Sequence, residues 1–235
     1  MSTTFTPETT PAPEKLTHSR SAVPINLTHD VERVADTLAI AFKDSASNEY
    51  LMKKFFNVPI DEYVSPIRMK TMIQYFTAFY DDKGADIVEA NDFHAVAIYT
   101  RPNEPISQWL TNDDKFNKEL FFDLDHKKHE IFPEGHKYYY LFIIGKDLSK
   151  PEIRGSVRKI FETYKEKADA ENASVVLEAI SEKAKAVYEY FGFKTYLNFN
   201  YGKNEVDKNG KPDPNGEGFD AYLMFYNKNT FPGYV

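Results

Sequence analysis

Between Ile153 and Arg158 the chain reads Ile-Arg-Gly-Ser-Val-Arg and then runs into a helical pattern. Arginines at a helix start oppose the partial positive charge of that end. The same end presents unpaired N–H groups and so attracts anions. Two readings follow. Either an anion such as a pyrophosphate sits between Arg154 and Arg158, each charge-assisted contact worth about 1.5–3 kcal/mol, or both side chains point into solvent. Upstream, the run YYYLFII from Tyr138 to Ile144 ends on Gly145. A glycine there marks a bulge or a close backbone approach, or it simply opens the next loop.

Other reactive residue types are less organised. His126 and His129 lie on one helix face near Asp123, Asp125 and Glu130. They could bind a metal, but no third ligand has a fixed spacing, so a solvated face is preferred and no metal is expected. His94 and His136 show no partner pattern, and no serine sits in a Gly-x-Ser-x-Gly elbow. Cysteine is absent, which removes disulfides, thiolate zinc sites and cysteine nucleophiles. With 29 Lys+Arg against 36 Asp+Glu the net charge is -7, which argues against a nucleic-acid partner. Only 10 of 235 residues are glycine, below the ~7% usual. Such a chain is a poor host for a glycine-rich phosphate loop.

The elements that must hold these residues are legible in periodicity. Residues 1–24 are rich in Thr, Pro and Ser and read as a flexible tail without the apolar core of a secretory signal. No run is long and apolar enough for a membrane span. A short strand at Ile25–Leu27 precedes a helix capped by Thr28 or Asp30, a second helix through Tyr50–Phe56, and a third after Ser65-Pro66. A hairpin turns at Ala90-Asn91-Asp92, and Ser107–Phe132 returns to helical spacing. Tyr138–Ile144 is a central strand, followed by a helix with Val157, Ile160, Phe161 and Tyr164 on one face. Then come a strand at Ala173–Ile180, a helix at Glu182–Tyr190, and strands at Lys194–Tyr201 and Phe219–Tyr226. The polar stretch Gly202–Gly218 reads as a mobile loop. The expectation is a flexible tail at 1–24 and one mixed α/β domain over 25–235.

The segment Tyr138–Phe193 carries a more specific signal. Its strand, loop, helix, strand and helix close on Tyr188-Glu189-Tyr190-Phe191-Gly192-Phe193, with Lys167-Ala168-Asp169 and Leu177-Glu178-Ala179 between. This resembles the GCN5-related N-acetyltransferase family, GNAT, and its fungal members most. The resemblance implies an α/β (α+β mixed) fold with a single, mostly antiparallel mixed sheet flanked by helices. It implies acetyl-CoA as co-substrate, its pantetheine arm against the backbone of Phe142, Ile143, Ile144 and Gly145. Its pyrophosphate would sit at the turn of Ile153, Arg154, Gly155, Ser156, Val157 and Arg158. Ser181 takes the place of an asparagine often found at the head of the closing helix. Tyr188 occupies the position from which a tyrosine usually protonates the leaving thiolate.

The family's phosphate loop, Arg or Gln, two residues, Gly, one residue, then Gly or Ala, is matched here by a single glycine. The expected function is N-acetyl transfer by direct attack of a primary amine, on a small-molecule acceptor, in the cytoplasm or the nucleus. The alternative is a GNAT-fold binding or regulatory protein whose degenerate loop has cost it turnover. The general base is open, with Asp147 and Glu89 candidates by position and surface solvation preferred for both. Trp109 and Tyr99 either line an acceptor pocket or fill core. Dimerisation through the last strands is also open.

Overall fold

A computed structural model of the protein describes residues 23–102 and 108–229. Apart from Val23 and Pro24, the expected tail lies outside the described residues, as does Ser107. The elements follow in the order β1 (Ile25–Leu27), α1 (Val31–Ala41), α2 (Ala46–Phe55), α3 (Pro66–Asp82), β2 (Asp86–Ala90) and β3 (Ala95–Thr100). Next are α4 (Asp114–Asn117), a π-helical turn (Lys118–Asp123) and α5 (Leu124–Ile131). The chain closes with β4 (Tyr138–Lys146), α6 (Ser156–Glu171), β5 (Ser174–Ala179), α7 (Glu182–Tyr190), β6 (Lys194–Tyr201) and β7 (Phe219–Tyr226). Among the described residues no helix is long and apolar enough to cross a membrane.

Local chemistry explains the starts of the early helices. The Asp30 carboxylate accepts from the Arg33 amide, and Ser65 accepts from the Arg68 amide ahead of Pro66. Each satisfies an orphan donor of the first turn. The helical stretch expected over Ser107–Phe132 starts later than its periodicity implies, because Asp113 caps Phe116 and the preceding Trp109 is core. The wider π turn keeps Phe116 and Phe121, five residues apart, both buried.

The seven strands form one sheet in the order β1-β2-β3-β4-β5-β7-β6. Every pairing is antiparallel except β4 with β5. Alternation divides the core in two. Val88, Ala97, Leu141, Val175 and Leu177 pack with Ile160, Phe161 and Tyr164 of α6. Ile87, Val96 and Ile98 face α1, α2 and α3.

β4 breaks its own alternation. Ile98 pairs with Ile143 but Tyr99 pairs with Leu141, so Phe142 is an extra residue. The bulge puts Phe142 and Ile143 on the same side, both packed on the α1–α3 core. Gly145 is not the bulge; it stays in register with Val96. A Cβ there would meet Ala41 Cβ at 2.7 Å and Leu38 Cδ2 at 3.0 Å, so the glycine lets α1 lie close on β4.

The stretch 202–218 is not the mobile loop its polarity suggests. Val206 is fully buried and bridges to Pro212, and Gly210 lies so close to α2 that a Cβ would meet the Ser47 amide nitrogen at 2.6 Å. A buried ion cluster ties it down. Lys54 Nζ donates to Glu205 at 2.6 Å and to Asp113 at 2.7 Å, and Tyr50 donates to Glu205 at 2.6 Å. Removing the cation strands two carboxylates that are only about one-third exposed.

Lys54→Met therefore lowers stability by about 2–3 kcal/mol in urea unfolding, and amide exchange quickens across 203–218 ahead of the sheet. Gly145→Ala costs about 1–3 kcal/mol through forced displacement of α1. Unchanged melting of that variant refutes the close-packing account.

Candidate active site

The site begins where two parallel strands part. β4 and β5 pair from Tyr138–Ser174 to Leu141–Leu177, and the ladder stops there. Beyond it, Phe142–Lys146 continue along β3 while Glu178 and Ala179 continue along β7. The backbone of Phe142, Ile143 and Ile144 thus loses its β5 partner, leaving polar groups that need another. The phenyl ring of Phe142 is committed to core, 4.4 Å from the Tyr80 ring; only its main chain is available to the gap.

On one side the gap opens into a cleft of about 820 Å³ at the start of α6. Gly155 is the N-cap there, with φ of 90° and no side-chain capping bond. That left-handed conformation favours glycine. The helices α1, α2, α3, α4 and α7 are instead capped by Asp30, Ser45, Ser65, Asp113 and Ser181. The first-turn amides of α6 therefore face the cleft without a capping acceptor. Lys146, Arg154, Arg158 and Lys183 also line it, and among the described residues no carboxylate does.

Each expected turn residue lines this cleft, but the side chains divide the work. Arg154 is exposed at the mouth. Arg158 donates to the Tyr190 hydroxyl, lies 5.3 Å from that ring and 3.6 Å from Glu162, so it is braced across α6 and α7. The Ser156 hydroxyl is turned inward, 2.8 Å from His94 Nδ1, while His94 Nε2 lies 3.2 Å from the Lys150 carbonyl. His94 is 2% exposed and pins the turn to the head of α6. Val157 packs on the α6-side core, Ile153 lines the cleft, and Ser181 caps α7 through the Ala184 amide.

On the other side lies a chamber of about 250 Å³ reached past Phe42, Ile144, Ser181, Ala184 and Tyr188, which line both spaces. Tyr188 is packed edge-on to Phe161 at 5.8 Å, and burial pushes its phenol up to about 12. It stays protonated across the neutral range and can donate. The chamber's one carboxylate is Glu178. Burial raises its pKa, while the Lys128 ammonium and the Tyr140 hydroxyl pull it partly back. A groove of about 630 Å³ between α1, α2 and α3 meets the chamber at Phe42, Ser45 and Asn48. The two ends of the site thus have separate entrances.

The structure also places the remaining candidate residues, and for Asp147 and Glu89 it differs from the expected solvated surface. Asp147 and Glu89 are not solvated surface; both are buried. Asp147 accepts from the Ser149 amide and hydroxyl, and Glu89 accepts from the Phe93 amide and Asn26. Tyr99 stacks on Tyr164 at 3.7 Å, and Trp109 donates to the Phe55 carbonyl, so both are core. His126 and His129 are exposed and face Glu130 and Asp125 respectively. Sequence reasoning missed Glu178, His94, Lys146 and Lys183. Only Glu178 left a signal, as a lone carboxylate in the apolar run ASVVLEAI.

Comparison with known proteins agrees with this architecture. Residues 26–105 match the family described as the YOR012W acetyl transferase domain. The chain is 49% identical over 205 residues to uncharacterized protein YDR391C of Saccharomyces cerevisiae, covering 87% of each. Its fold is similar to arylalkylamine N-acetyltransferase 2 from Aedes aegypti, with TM-score 0.51, 17% identity, and coverage of 89% of this chain and 100% of that one. It is similar also to the histone acetyltransferase HPA2 and related acetyltransferase from Corynebacterium glutamicum, with TM-score 0.50, 16% identity, and coverage of 90% and 99%. The chain therefore belongs to the same family as YDR391C, whose branch carries the YOR012W acetyl transferase domain, and its sheet has the fold of the GCN5-related N-acetyltransferases.

Proposed function

We propose that the protein transfers acetyl from acetyl-CoA to a primary amine by direct attack. The observation that carries this reading is the cleft at α6. A chain of net charge -7 brings four cations and a helix start without a side-chain cap to one cleft that no carboxylate among the described residues lines. Such a place suits a pyrophosphate. The adjoining gap offers main-chain partners from Phe142, Ile143 and Ile144 to an extended amide-bearing arm. The turn holds one glycine instead of the family's two, and His94 supplies rigidity to it through Ser156 and Lys150.

The chemistry then falls to two residues. An alkylammonium of pKa ~10.4 costs about 4–5 kcal/mol to deprotonate at pH 7, so a base must receive its proton. Glu178 takes it, helped by its raised pKa. As the new C–N bond forms and the C–S bond breaks, Tyr188 gives its phenolic proton to the departing sulfur. The second proton leaving nitrogen restores the phenol through water. Overall, R–NH3⁺ and acetyl-CoA become N-acetylamine, CoA thiol and one released proton.

Calorimetric titration tests the reading. CoA and acetyl-CoA bind, and affinity falls with added salt and in Arg154→Ala and Arg158→Ala; no binding up to millimolar ligand overturns acetyl transfer. Binding without turnover of any amine would instead favour a regulatory protein. Tyr188→Phe lowers kcat by about 100-fold with CoA affinity little changed; equal turnover removes Tyr188 as the acid.

Glu178 also leaves a mark on stability. Its folded pKa is raised, so its contribution is fully present below the unfolded value of about 4.3 and is lost as pH rises through the folded one. Glu178→Gln is accordingly more stable than wild type at pH 8, with an advantage that shrinks toward pH 5. Denaturant unfolding at both values measures this, and a destabilised variant at pH 8 contradicts it.

A further inference from the structure

The chamber's walls restrict what can be acetylated. Leu51, Met52, Phe55, Phe76 and Leu120 line one part of it, and Glu178 is its sole charged group. At about 250 Å³ it is smaller than the ~300–1,000 Å³ of sites for drug-sized ligands. Tyr140 of β4 and Tyr201 of β6 line the chamber together with Glu178 of β5. Lys128 of α5 is the cation facing it, above the Tyr140 ring at 4.6 Å.

A second, independent observation points to a ligand. Tyr201 lines the chamber, is 1% exposed, and its buried hydroxyl has no hydrogen-bond partner. A buried hydroxyl left so costs about 1–3 kcal/mol. A primary ammonium has three N–H donors and would find a carboxylate and phenolic oxygens in one place, edged by aromatic rings that favour a cation.

We propose that the acceptor is a compact arylalkylamine, a reading that rests on acetyl transfer at this site. Its ammonium sits against Glu178, Tyr140 and Tyr201, and its ring lies among Leu51, Phe55, Phe76 and Leu120. The same walls reject a second charge. The carboxylate of an amino acid or the far ammonium of a polyamine would be desolvated with no partner.

The test uses the full chain and two separate readouts. Binding of phenethylamine and tyramine is measured by calorimetry with and without CoA, and release of CoA thiol is followed with acetyl-CoA. The expected result is that both amines turn over with kcat/KM at least roughly 10–100-fold above putrescine, free lysine and a lysine peptide. Glu178→Gln loses amine binding and roughly 100-fold in kcat/KM while keeping CoA affinity. Leu120→Trp, which fills the chamber, loses phenethylamine but keeps ethylamine. Preference for putrescine or the peptide, or unchanged amine binding in Glu178→Gln, overturns the proposal while acetyl transfer stands. Glu178-dependent amine binding in a protein that does not bind CoA sinks acetyl transfer and leaves the amine site intact.

Discussion

Everything at the site depends on the parting of β4 from β5 after the Leu141–Leu177 pair. The sheet survives the break because each strand keeps its outer partner, β3 on one side and β7 on the other. The extra residue at Phe142 is the device. It shifts the alternation of β4 by one position, so that Phe142 and Ile143 both anchor in the α1–α3 core. These two strands run parallel, so the helices that follow them, α6 and α7, start at the same end. Open sheets bind ligands at such an end, beyond the carboxyl termini of parallel strands.

Around that gap the charges are sorted. The acidic surplus of the chain is kept out of the cleft at α6, where every charged side chain among the described lining residues is a cation. In the chamber the arrangement is reversed, with one half-buried carboxylate, Glu178, among apolar walls. Neither arrangement is what stability alone selects. Cations at a helix start and a desolvated acid both oppose folding, and residues kept against stability are commonly those kept for function. The molecule offsets these costs elsewhere, as in the packed aromatic core around Phe55, Phe76 and Phe142 and the Lys54 cluster that fixes the 202–218 loop.

That loop shows why local reading fails in places. Its Gly, Asn and Asp content is what a chain uses either to stay open or to turn tightly. The choice is made by Lys54 and Tyr50, about 150 residues away, which no window of sequence contains. Asp147 and Glu89 misled in the same way. A carboxylate at the end of a strand or just beyond one suggests solvent, but each of these has a main-chain amide to satisfy. Glycine scarcity, in turn, is a poor guide to an anion site, because such a site needs one left-handed residue at the helix start. Gly155 provides it.

The mostly antiparallel sheet and the place of Tyr188 followed from the family resemblance; the sequence by itself determined the order of elements and the strand-turn-helix frame from Tyr138 to Arg158. These are encoded in period, caps and short motifs, all of which act over a few residues. Only the tertiary structure decided that β4 leaves β5 at Phe142, that Gly145 serves α1, and that His94 holds the turn. It alone set Glu178 in the chamber. Each of those depends on contacts between segments far apart in the chain, where burial and unmet hydrogen bonds, rather than local preference, choose the outcome.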